Sequence, residues 1–160
     1  MKTELLKLLS ANARYNTRQL GDMLGISEEE VAAQIKALEK EGVICGYKAV
    51  IDWDSVDGSA VSAIIEIKVV PKADLGFEEV AEKIACYSEV ESVYLMSGGY
   101  DLNVVVKGKT LKDVAQFVAR ELATIDSVMS TATHFVMRRY KEMDVCLFES
   151  ERDDRGNILI

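Results

Sequence analysis

The string Ser97-Gly98-Gly99-Tyr100-Asp101 brings two glycines, a phenol and a carboxylate together within one turn's length. Glycines permit positive φ and leave backbone N–H groups open to an incoming carboxylate. Asp101 offers an acceptor for an ammonium. Thr131 and Thr133, two apart, share one face of any strand and add hydroxyls. Donors for a carboxylate plus an acceptor for an ammonium are what a zwitterionic amino acid requires. A plain hairpin turn followed by threonines of high β propensity needs the same residue types, so composition alone leaves both readings open.

A second constellation lies in residues 27–41. At about 100° per residue, the side opposite Val31, Ile35 and Leu38 carries Glu29, Ala33, Lys36, Lys40 and, obliquely, Ala37. A helix laid in a major groove would use such lysines on phosphates or guanine, and Gln34 on the flank to pair adenine. Ser27 and the helix N-terminus could hold a phosphate. Arg14, Arg18 and Lys48 add cations nearby in sequence. Glu28, Glu29 and Glu30 act against phosphate binding by repulsion. They also complement the helix macrodipole, at about 0.3–1 kcal/mol each, and are read as capping and dipole residues.

Other chemistries find little support. His134 is the one histidine of the chain, and a lone histidine builds neither a metal site nor a triad. The three cysteines, Cys45, Cys86 and Cys146, are widely spaced, form no CxxC pair and predict neither a disulfide framework nor zinc. No metal, cofactor or catalytic residue is expected, and a reducing cytoplasm is the expected compartment. No apolar run approaches the roughly 18 residues of a membrane span, and Met1-Lys2-Thr3-Glu4 leads into a charged periodic segment rather than a secretory signal.

The elements that must position these residues are set by period and punctuation. The chain has 160 residues, 49% hydrophobic and 29% charged, enough for one medium or two small domains. Net charge is −8, distributed unevenly: residues 1–50 carry 7 cations and 7 anions, and 51–160 carry 12 and 20. A neutral first third and an acidic remainder suggest parts with different partners. Leu5, Leu6, Leu8 and Leu9 mark one helix, and Leu20, Met23 and Leu24 a second, with Asn16-Thr17 as its start and Gly25 as its end. Ser27 and Glu30 have the capping-box spacing that opens a third helix, and Gly42 stops it. Residues 43–51 read as a short β segment around Gly46, and Tyr47 packs on the third helix or contacts nucleic acid.

Past residue 59 the period changes to two. Val61, Ala63, Ile65, Ile67 and Val69 alternate with polar residues, and Pro71 sits at the end of that strand. Phe77, Val80, Ala81 and Ile84 mark a helix; 90–97 and 102–106 read as strands around the glycine turn. Leu111, Val114, Ala115, Val118 and Leu122 mark another helix, and 128–139 a long last strand running on towards Leu147. Tyr94 and Phe135 are assigned to core or dimer surface. The order β-α-β-β-α-β fits a ferredoxin-like layer, so the fold class is α+β. The expected division is 1–51 winged helix-turn-helix, 52–59 linker with Trp53 and Asp54 fixing the domain angle, 60–148 ferredoxin-like domain and 149–160 charged tail.

In this order, Asn12-Ala13-Arg14, Gly25-Ile26-Ser27, residues 38–47 (LEKEGVICGY), Ser97-Gly98-Gly99-Tyr100-Asp101 and Ser130-Thr131-Ala132-Thr133 resemble the Lrp/AsnC, or feast/famine, regulators. The resemblance implies an N-terminal domain that binds double-stranded DNA and a C-terminal RAM-type domain. That second domain would self-associate to a dimer, often further, and bind a small effector, usually an amino acid, where dimers meet. Many members carry arginine where this chain has Ala33 and Gln34, which lowers the expected DNA affinity. An effector-sensing partner in hetero-oligomers, with weak DNA binding of its own, is the alternative. Siroheme decarboxylases share the architecture, but would need Arg and His where residues 44–54 offer only Lys48.

Overall fold

The computed structural model describes residues 2–56, 60–70 and 76–148. The chain divides after Ala49 into two compact units.

The first unit holds α1 (Lys2–Ala11), α2 (Thr17–Leu24) and α3 (Glu28–Lys40). Its core is Leu5, Leu9, Leu20, Val31 and Leu38, with Leu6, Leu8, Leu24, Ile35 and Ile44 packed around it. Asn16 caps α2 reciprocally: its Oδ1 accepts from the Gln19 N–H at 2.8 Å, and the Asn16 N–H donates to Gln19 Oε1 at 3.0 Å. Gly25 closes α2 at φ +69°, a conformation costly for residues with a Cβ. Gly21 meets the next segment so closely that a Cβ there would lie 2.8 Å from the Ile26 carbonyl oxygen. Ser27 Oγ then accepts from the Glu30 N–H at 3.2 Å and starts α3. The reciprocal half of that capping box is not formed among the described residues.

Two expectations fail here. Met23 is 53% exposed, because Leu20 and Leu24, one turn apart, already fill the side of this short helix that faces the core. Residues 43–51 form no strand. The Val43 and Ile44 N–H groups bond back to the Leu38 carbonyl at 2.9 and 3.2 Å, closing α3. Residues 45–51 have no neighbouring strand to pair with among the described residues, and an isolated ribbon is marginal in water.

The second unit builds a four-stranded antiparallel sheet, order β2-β3-β1-β4, from β1 (Val61–Val69), β2 (Val90–Leu95), β3 (Leu102–Gly108) and β4 (Val128–Phe135). Helices α4 (Phe77–Ala85) and α5 (Leu111–Phe117) cover one face, the ferredoxin-like arrangement. Ala63, Ile65 and Ile67 of β1 are fully buried with Leu102, Val104 and Val106 of β3, against Val80 and Ile84 of α4 and Val114 and Phe117 of α5. The opposite parity leaves Ile64, Val105 and Ala132 on the uncovered face.

Helix α5 runs into a π turn, Val118–Leu122, whose end is marked by the Ala123 N–H bonding to the Val118 carbonyl at 2.8 Å. The extra residue shifts the helical phase. Ahead of it Val114, Phe117 and Val118 are buried at the i, i+3, i+4 spacing of an ordinary helix, so Leu111 (56% exposed) and Ala115 lie outside the core, against the sequence reading. The last strand also stops sooner than expected, at Phe135. Its partner β1 begins at Val61, so the Val136 N–H to Ser62 carbonyl bond (2.9 Å) is the final rung. The chain then makes a separate hairpin, Lys141–Glu142 with Val145–Cys146, around Met143 and Asp144 at positive φ. Phe135 packs against the core, whereas Tyr94 is 54% exposed. In the expected linker, Trp53–Ser55 forms a 3-10 turn capped by Asp52. Pro71, residues 57–59 and the tail 149–160 lie outside the described residues.

Gly21→Ala is expected to destabilise the first unit by about 1–3 kcal/mol, since overpacking a backbone contact forces a shift. Urea unfolding followed by helical circular dichroism measures it; an unchanged midpoint would show that the corner yields freely.

Candidate functional site

Helix α3 buries Val31 and Leu38 and leaves Glu29, Ala33, Lys36 and Lys40 exposed along its other side. Arg14, Arg18, Ser27 and Lys48 are exposed in the same unit. Glu28 is drawn back towards α2, where its Oε1 accepts from the Thr17 hydroxyl at 2.5 Å. Gln34 Oε1 is enclosed without a described partner, so it offers no acceptor to an adenine amino group. Tyr47 donates its hydroxyl to Glu39 Oε1 at 3.0 Å, which ties it to α3. Its pKa is raised, by desolvation first and then by the Glu39 carboxylate that the hydroxyl bonds. Neither the Thr17–Glu28 nor the Tyr47–Glu39 bond had a signal in the sequence, because both join residues from different elements or an irregular segment.

In the second unit the 97–101 turn joins β2 to β3. Gly98 sits at φ +152°, using the freedom that glycine permits, whereas Gly99 lies outside the positive region. Asp101 is built into the sheet end. Its N–H donates to the Ile67 carbonyl (2.9 Å), its carbonyl accepts from the Met96 N–H (2.8 Å), and its Oδ2 accepts from the Val69 N–H (2.8 Å). Thr131 pairs with Ile67 from the other side of β1, and Thr133 with Ile65. Turn and threonines thus gather at one end of the sheet with β1 between them, about 10 Å apart at two strand spacings. On the uncovered face, His134 Nε2 lies 3.6 Å from Glu66 Oε2. No group of three or more His, Cys, Asp or Glu among the described residues is arranged to hold a metal. No helix of the described residues is long and apolar enough to cross a membrane.

An exposed helix-turn-helix face and a ferredoxin-like domain in one chain narrow the comparison. The profile of the Lrp/AsnC ligand binding domain matches residues 62–145, and that of a winged helix-turn-helix DNA-binding domain matches residues 2–44. The chain belongs to the Lrp/AsnC family. Over 155 residues it is 50% identical to an uncharacterized HTH-type transcriptional regulator, YugG of Bacillus subtilis, spanning 96% of this chain and 93% of that one. It is 31% identical over 137 residues to the HTH-type transcriptional regulator LrpA of Pyrococcus abyssi, spanning 86% and 94%. The solved structure of PH0061 superposes with a TM-score of 0.74 at 26% identity, covering 88% of this chain and 93% of its own. That of the regulator NMB0573 of Neisseria meningitidis, in complex with L-Met, superposes at 0.69 and 23% identity, covering 88% and 90%, and shares the fold. Like the family, this chain is a DNA-binding regulator of transcription that joins a helix-turn-helix to an effector domain. In this member the wing beyond α3 is an irregular segment, not a hairpin.

Asp101→Ala leaves the Val69 N–H without its partner and is expected to cost about 1–3 kcal/mol. Asp101→Asn keeps an acceptor and should cost less than half of that. Chemical denaturation distinguishes the two; equal stability of all three proteins would separate this carboxylate from the integrity of the sheet.

Proposed function

We propose that α3 reads the major groove of double-stranded DNA and that binding of a small effector, an amino acid, at the 97–101 turn biases self-association, and so occupancy of operators. The observation that carries the first half is the single exposed side of α3, with Lys36 and Lys40 outward and Val31 and Leu38 inward. Ser27, Arg14, Arg18 and Lys48 supply phosphate contacts, and Ala33 stands where base edges would pass, while Gln34, its side-chain oxygen enclosed, has only its amide NH2 to offer. For the second half, Ser97, Gly98, Gly99 and Tyr100 offer backbone donors and a ring, Asp101 an acceptor, and Thr131 and Thr133 hydroxyls. The separation of the two groups by β1 favours a site completed by a second copy, which couples ligand to assembly. The uncovered sheet face, with Ile64, Val105 and Ala132 among polar residues, is the surface by which two copies would pair, with higher oligomers built on such dimers. We read the chain as a regulator rather than an enzyme, working in the cytoplasm, with a linker at 52–59 between its two parts and a tail from 149.

The acid-rich start of α3 favours modest affinity. Binding to a random duplex is expected to be weak, with a shallow salt slope. Lys36→Gln and Lys40→Gln should each reduce that slope by about one. Fluorescence anisotropy across salt concentrations tests this; nanomolar affinity for random DNA with a steep slope would refute it. A protein that binds no duplex yet co-purifies with another family member would favour the hetero-oligomer reading.

Thermal shift against the twenty amino acids addresses the effector. A ligand present at a hundred times its Kd stabilises by about 2.7 kcal/mol, so one class of amino acid should raise the midpoint at millimolar concentration. If none does, the 97–101 turn is a hairpin and nothing more.

A further inference from the structure

Tyr47 follows α3 in the irregular segment, and its ring is half exposed. Its hydroxyl nevertheless reaches back eight residues to donate to Glu39 Oε1 at 3.0 Å. The Val43 and Ile44 N–H groups hold the start of the segment to the Leu38 carbonyl. Tyr47 is thereby on a short tether and returns to the last turns of the helix.

The place of Glu39 on α3 shows what that bond competes with. Residues three or four apart on a helix face each other. For Glu39 these are Ile35, Lys36, Gly42 and Val43, so Lys36 is its one charged neighbour at that spacing. For Lys36 they are Ala32, Ala33, Glu39 and Lys40, so Glu39 is its one acid. Lys40, a turn further on, repels Lys36 and favours a carboxylate beside it. Yet among the described residues Lys36 makes no ion pair, and Glu39 is bonded to Tyr47 instead. Thr17 holds Glu28 in the same way at the other end of the helix. Glu28 and Glu39 lie about 20° apart around the helix axis. Two hydroxyls from outside α3 therefore draw two of its carboxylates back along one flank, away from the lysines.

We infer that Tyr47 is a positioning residue for DNA binding, whose hydroxyl holds Glu39 off Lys36 so that this lysine meets the groove unpaired. The inference rests on the reading of α3 as the helix that enters the groove. Without the hydroxyl, the Glu39 carboxylate is free to pair with Lys36, and that pair must break before the lysine reaches a phosphate or a base. Helix pairs of this kind are weak, and Lys before Glu is the poorer order, so the cost is about two- to threefold in Kd.

Fluorescence anisotropy on a random duplex at low salt compares the full-length protein with Tyr47→Phe, Glu39→Gln and the double variant. Tyr47→Phe is expected to bind about two- to threefold more weakly. The double variant should return to the original affinity, and Glu39→Gln alone should bind no more weakly. In a Lys36→Gln background, Tyr47→Phe should add nothing. A ring that merely ordered the segment would not give this pattern, because phenylalanine keeps the ring and removing the Glu39 charge would not restore a lost bond. A second readout needs no DNA. The Tyr47 phenol is raised by desolvation first and by Glu39 next, so Glu39→Gln should lower the pH at which Tyr47 ionises, followed by NMR of its ring. Unchanged affinity in Tyr47→Phe, no rescue in the double variant, or an unchanged Tyr47 titration would each overturn the assignment while leaving α3 in its role. If the protein binds no duplex, or Lys36→Gln leaves binding unaltered, the reading of α3 fails and the inference falls with it.

Discussion

The register of β1 is the constraint on which the second unit depends. This strand is paired on both sides and buries Ala63, Ile65 and Ile67 completely. Slipping it by one residue would drive Glu66 and Lys68 into the helix-covered core and expel three aliphatic side chains. At about 25 cal/mol per Å² of apolar surface, no rearrangement of turns recovers that loss. The same register sets both ends of the sheet. It places Asp101 against Ile67 and Val69 at one end, with Thr131 across the strand, and Ser62 opposite Lys107 at the other. Chemistry at either end is therefore a consequence of how the middle packs.

A comparable constraint acts in the first unit, on a smaller scale. The corner between α2 and α3 depends on Gly21, which admits the Ile26 carbonyl, and on Gly25, which turns the chain at positive φ. With that corner fixed and Ser27 capping, the phase of α3 is set by Val31 and Leu38. The outward side has no freedom left: Ala33, Lys36 and Lys40 face solvent because the inward positions are taken.

Legibility tracked periodicity. Segments whose apolar residues repeat over two turns or more, such as α3 and β1, were readable in the sequence because burial alone decides their phase. Helix ends set by a defined cap, the Asn16 start and the Gly25 stop of α2, were readable for an equally local reason. Whatever depended on a neighbour was not. The segment 43–51 has strand-like composition but no strand partner among the described residues, and β4 ends where its antiparallel partner β1 begins rather than where its own apolar residues do. Leu111 and Ala115 stay out of the core because Phe117 completes the buried face with Val114 and Val118, and the stripe read from the sequence had passed over Phe117. At the site, residue types pointed to the turn and the threonines, but not to the bond by which Val69 uses one oxygen of Asp101.

The glutamates of α3 show two electrostatic demands meeting in one turn of helix. For the isolated helix, three acids at the N-terminus are favourable, at about 0.3–1 kcal/mol each. For a helix lying along phosphates they are unfavourable, because binding scales with the number of phosphates neutralised. The structure divides the three unequally. Glu28 is bonded by Thr17 and turned towards α2, while Glu29 and Glu30 stay exposed. With equal numbers of cations and anions in residues 1–50, no diffuse positive field offsets those two charges. On the proposed reading, affinity comes from contacts that fit, with Lys36 and Lys40 against particular groups, and from joining two copies so that weak contacts add. Under the proposed function, a helix tuned in this way would give up grip on arbitrary duplex and gain dependence on assembly, and an effector domain that self-associates would be the natural place to control it.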